Sequence, residues 1–92
     1  MSKKSSLQSL INIGPKITER LINIGINTKE DFLAKDPYEV FEQLLKVEPD
    51  LCRCALASII GASQSIPWHV ITKDTAKEFE KRNPNHKWIN HC

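Results

Sequence analysis

Little in this sequence would build a large or membrane-spanning protein. Among 92 residues the aromatic share is 7%, glycine occurs three times and methionine once. No apolar run nears the ~20 residues that a bilayer crossing requires, because Asn, Gly, Lys or Arg breaks each one within a few positions. One small domain fits in this length, which excludes a dinucleotide fold, a barrel or a kinase. A strong charge of one sign is also lacking. With 13 Lys and Arg against 11 Asp and Glu, the net charge is +2, far from the basic excess that by itself signals nucleic acid. The cysteines Cys52, Cys54 and Cys92 are odd in number. No basic start precedes an apolar stretch and small-residue cleavage site. The expectation is a cytoplasmic chain with free thiols and no membrane partner. Cys92 is the last residue, whereas a prenylation signal puts its cysteine fourth from the end.

What is present is helical spacing and a series of helix starts and stops, so the chain reads as all-α. A first short helix is expected over residues 6–11, ending at Asn12-Ile13-Gly14. Pro15 suits the first turn of a second helix, where its missing N–H had no partner to lose. That helix should run to about residue 24, burying Ile17, Leu21 and Ile24, with Gly25 as a left-handed end. Thr28 and Asp31 form a capping pair for a third helix over residues 29–34. Asp36-Pro37 opens a fourth, whose Val40, Phe41, Leu44 and Leu45 make a wide apolar face. Pro49 and Asp50 open a fifth, with Cys52, Ala55, Leu56 and Ile59 on its buried stripe. Ile66 to His69 reads as a turn anchored in the core by Trp68. Thr72 can cap a sixth helix over residues 73–82, before Pro84 stops it. The polar tail of residues 83–92 is either loose or a strap pinned by Trp88, which if exposed would mark a partner surface or stack on an unpaired base. A weak internal echo relates the turn at 12–14 to the one at 46–49.

Leu10-Ile11-Asn12-Ile13-Gly14-Pro15-Lys16-Ile17, continuing to Leu21 and Gly25-Ile26, resembles a helix-hairpin-helix motif. A tight turn before a helix leaves backbone N–H groups aimed at an anion, and the helix dipole favours negative charge there. In that family the anion is a DNA phosphate, bound without regard to base sequence. The resemblance implies that Ile13 plugs the core, Gly14 offers its N–H, and Lys16 with Arg20 supplies charge. DNA contact is therefore placed at Asn12, Gly14, Lys16 and Arg20. There are two departures: Asn12 stands where the motif has its first glycine, and Pro15 has no N–H. Asn tolerates the left-handed conformation, so the turn survives. The same hairpin can serve only to pack two helices.

Together with Thr28 to Phe32, Asp36-Pro37-Tyr38, Gly61-Ala62 and Trp68, these segments resemble the C-terminal domain of the TfoX (Sxy) competence regulators and the small pathogenicity-locus helix-hairpin-helix proteins. The likeness spans roughly residues 7–82, with residues 1–6 as a flexible start. It implies a bacterial-type helical domain with no catalytic centre, linked to DNA uptake and its regulation. The N-terminal domain of full-length TfoX proteins has no counterpart in this sequence, so no coactivator role carries over. The expected fold is a bundle of five or six short helices, two hairpins joined by a short helix, as in the helix-hairpin-helix and SAM-like group.

Charge placement agrees in part. Residues 1–35, 36–72 and 73–92 carry +3, −3 and +2, so the ends are basic and the middle acidic. Lys3, Lys4, Lys16 and Arg20 could join Lys73, Lys77 and Lys81 on one face, or the last three could pair with Asp74 and Glu78 along their helix. No catalytic constellation stands out. His69 has no nucleophile near it in sequence, and His86, His91 and Cys92 match no zinc spacing. No enzyme activity, cofactor or metal is expected. The two functions that remain are sequence-independent nucleic-acid binding and a protein-interaction adapter built on the same hairpins.

Overall fold

A computed structural model describes residues 7–88. Those residues form helices α1 (Pro15–Asn23), α2 (Lys29–Leu33), α3 (Pro37–Val47), α4 (Arg53–Gln64) and α5 (Trp68–Arg82), with no strand among them. The expected all-α bundle is what forms. Among the described residues no single helix is long and apolar enough to cross a membrane.

Local chemistry sets most of the boundaries. Pro15 occupies the first turn of α1, and Gly25, at φ +92°, takes the left-handed conformation that ends it. The Thr28 hydroxyl accepts from Asp31 N at 3.1 Å, while the Asp31 carboxylate accepts from Asn27 N at 3.2 Å, so the start of α2 is capped from both directions. Asp36 caps α3 by accepting from Tyr38 N at 2.9 Å. The faces of α1 and α3 converge on a core that includes Leu21, Ile26, Phe32, Val40, Phe41, Leu56, Ile59 and Phe79. Thr18 is also buried, and its hydroxyl donates to the Gly14 carbonyl at 2.8 Å. At the far end of α5, Arg82 pairs with Glu78 and Asp36 and lies over the Tyr38 ring at 4.3 Å. Burial first, and Glu78 second, hold the Tyr38 phenol above the usual tyrosine range.

Four expectations are corrected. Within the expected first helix, only residues 7 and 8 are helical among those described. Leu10 N donates to Leu7 O and Ile13 N to Leu10 O, and these three-residue steps make a tight turn where a helix would need four-residue ones. The helix expected from Pro49 begins later, at Arg53. Leu51 is buried, and the extended Cys52 (φ −99°, ψ 175°) serves as the N-cap of α4. From Leu56 to Ala62 every residue of α4 is buried, because α3 and α5 both pack against it. The last helix starts at Trp68 rather than Lys73. Thr72 lies inside it, with its hydroxyl donating to Trp68 O at 2.9 Å, and Pro67 supplies the extended N-cap.

The fourth correction concerns the cysteines. Cys52 and Cys54 are both disulfide-bonded, and no described cysteine is a free thiol. Cys52 lies just outside α4, as its N-cap, and Cys54 lies within it. Cys92 lies outside the described residues.

Of the two tryptophans, Trp68 departs from its expected role, and for Trp88 the pinned strap is the alternative that forms. Trp68, the expected core anchor, is 39% exposed. Trp88 packs against the core, with its ring 5.5 Å from Phe79 and 6.1 Å from Phe41, its Nε1 donating to Glu80 at 3.0 Å and the Arg53 guanidinium over its face at 5.3 Å. Residues 83–88 are thus a strap pinned by Trp88. Asn83 starts it by donating to Glu42 at 3.2 Å. Residues 1–6 of the expected flexible start and 89–92 of the tail lie outside the described residues.

Candidate nucleic-acid interface

The tight turn expected before α1 is present. Asn12 has φ +71°, in the left-handed region, and Ile13 is buried at 6% exposure as the plug between helices. Gly14 follows in extended conformation (φ −103°, ψ −173°), a shape open to any residue, and a methyl group at its Cα would meet no atom within 4 Å. The outer side of the turn is therefore unobstructed at Gly14. No side chain caps α1. Pro15 contributes no N–H, and the first-turn amides of Lys16 and Ile17 precede any intrahelical partner. The positive end of α1 is left facing outward.

The four residues expected at the contact do not act as a group. Gly14 and Lys16 are together at the open end, and Lys16 is exposed and has no ion pair among the described residues. Asn12 turns the other way. Its Nδ2 donates to the Ile66 carbonyl at 2.8 Å and its Oδ1 accepts from Trp68 N at 3.2 Å, so one side chain clips the turn before α1 to the turn between α4 and α5. Arg20 is held by Glu48, with Nε donating to both carboxylate oxygens at 3.0 and 3.1 Å, and its charge is compensated there.

The Asn12 clip reveals the internal echo. Ser65 is left-handed at φ +60°, Ile66 follows, and the extended Pro67 leads into α5, repeating the order of Asn12, Ile13, Gly14 and α1. The counterpart of the first turn is thus at 65–68, not at 46–49. Its legible signal is an isoleucine with a proline one or two places on; Gly61 and Glu48 carried no such signal. Gly61 lies where the two turns meet α4, and a methyl group there would run into the Ile66 carbonyl oxygen and stand 2.6 Å from Asn12 Nδ2. Replacing Asn12 with glycine keeps the left-handed backbone but removes both bonds. Thermal and urea unfolding should show a loss of about 1–2 kcal/mol.

The family model of the TfoX C-terminal domain matches residues 3–82. The chain belongs to the TfoX C-terminal domain family. No curated protein matches the sequence. Among solved structures, an uncharacterized protein from Listeria monocytogenes, crystallised in a triclinic form, is similar at 26% identity and a TM-score of 0.73. The likeness covers 88% of this chain and 97% of that one. In this TfoX C-terminal domain, Lys73, Lys77 and Lys81 of α5 are exposed. Among the described residues none of these lysines forms an ion pair with Asp74 or Glu78, and Glu78 is engaged by Arg82. No group of three or more His, Cys, Asp or Glu among the described residues could hold a metal ion.

Proposed function

We propose that this TfoX C-terminal domain is a non-enzymatic module, connected with competence or its regulation, that binds the nucleic-acid backbone at the start of α1. The supporting observation is the uncapped, unobstructed helix end at Gly14 beside an unpaired Lys16. A phosphate oxygen there would accept from backbone amides in the helix dipole's positive field, with Lys16 adding a point charge. Such contacts carry no base information, so binding is independent of sequence.

The test is fluorescence anisotropy with a duplex of arbitrary sequence across a salt series. Affinity should fall linearly with log salt, with a slope of about −0.9 for each phosphate contacted. Lys16→Glu should abolish binding while the helical circular dichroism stays unchanged. Binding that ignores both salt and this reversal would remove the reading. A protein-interaction adapter is the second reading, favoured by the exposed apolar side chains of Ile11, Leu33, Val47 and Val70. Failure on nucleic acid together with a protein partner lost in Val70→Asp would establish it.

A further inference from the structure

The backbone-binding reading leaves Trp68 unused, and its surroundings say what kind of nucleic acid would fit. Trp68 is 39% exposed, so its indole is not enclosed in the core. It is the first residue of α5, and its own backbone N–H donates to Asn12 Oδ1. Asn12 is two residues before Gly14, so the backbone of Trp68 is tied to the turn that leads into α1. His69, also exposed, stands edge-on to it with ring centroids 5.8 Å apart. Lys73, exposed and without an ion pair among the described residues, lies one turn further along the face of His69. The Asn12 clip thus sets the start of α5, which carries Trp68, His69 and Lys73, beside the turn that leads into the open start of α1.

A base inside a duplex has both faces covered by its neighbours and offers nothing to an indole, whereas an unpaired base stacks on it whatever its identity. We infer that Trp68 is a stacking platform and that the preferred ligand is single-stranded nucleic acid, held by a phosphate at the start of α1 and a neighbouring base on the indole. This rests on the backbone-binding reading and specifies its substrate class. Lys16 and Lys73, both exposed and without an ion pair among the described residues, favour a polyanion as the occupant.

The experiment uses the full chain carrying Trp88→Phe, so that Trp68 is its sole indole, titrated with an oligothymidylate, its RNA equivalent and a duplex of the same length. Both single strands should quench Trp68 emission and bind more tightly than the duplex. Trp68→Ala should weaken single-strand binding roughly 5- to 150-fold and leave duplex binding within about twofold, while Trp68→Phe keeps most of the affinity. The Asn12 bond comes from the backbone of residue 68, so these changes leave the clip intact; matching circular dichroism and melting temperature check this. Salt-dependent, Lys16-dependent duplex binding with silent Trp68 emission would overturn the inference and leave the backbone reading standing. Binding to none of the three polymers would overturn both.

Discussion

Gly61→Ala is expected to lower the stability of this domain by about 3 kcal/mol, the opposite of what helix propensity alone would give. Alanine in a helix interior usually gains up to about 1 kcal/mol over glycine. Gly61, however, is the point on α4 against which both turns close, and the added methyl group would meet the Ile66 carbonyl oxygen and Asn12 Nδ2. Neither is the free end of a flexible side chain, because the carbonyl is backbone and the amide is fixed by its bond to that same carbonyl. Overpacking costs about 1–3 kcal/mol and occasionally more, and the disturbed clip adds to it. In thermal unfolding this corresponds to a fall of roughly 12–24 °C for a domain of this size. The substitution should be less damaging in an Asn12→Gly background, where one collision is gone, so the two changes should combine non-additively. An unchanged melting temperature would mean that α4 and the paired turns do not approach as described.

Phe79→Ala should have the larger effect, about 3–5 kcal/mol, on the order of the whole stability of a domain this small. Phe79 is 1% exposed and touches three rings at once. It stands edge-on to Phe41 at 5.3 Å and to His86 at 5.1 Å, and tilted against Trp88 at 5.5 Å. Removing it opens a cavity that cannot easily close, because its walls are rigid rings from α3 and the strap. Urea unfolding should start near zero denaturant, and Trp88 emission should shift to the red as the strap loses its seat. Phe79→Leu keeps an apolar filler and should lose distinctly less. If alanine at 79 left Trp88 emission unmoved, the strap would be held by something other than this cluster.

These two residues mark the limit of what sequence patterns could convey. Phe79 was legible as a core residue because it follows Ala76 at helical spacing. That it seats a tryptophan nine residues further along was not, since residues 83–88 follow no period. Gly61 reads in sequence as a weak point of a helix, because the carbonyl that excludes a side chain there comes from another segment. The candidate site divides in the same way. Gly14 and Lys16 are at the open helix start where the motif put them, and Asn12 has the left-handed conformation expected of it. The direction of the Asn12 side chain, toward Ile66 and Trp68, depends on the approach of a turn more than fifty residues away. Arg20 is claimed by Glu48 for the same reason.

By itself, then, the sequence determined the helical class, the capped starts of α2 and α3, the proline start and glycine end of α1, and the turn at Asn12 to Gly14. Each depends on residues within a few positions of one another, where backbone sterics and local hydrogen bonds act regardless of the rest. The tertiary structure alone decided that the turn before α1 pairs with the one before α5, that Trp68 faces solvent while Trp88 is packed, and that Cys52 lies outside α4. Those outcomes depend on which distant groups compete for the same buried space and the same donors, and that competition is resolved only when the whole chain closes on one core.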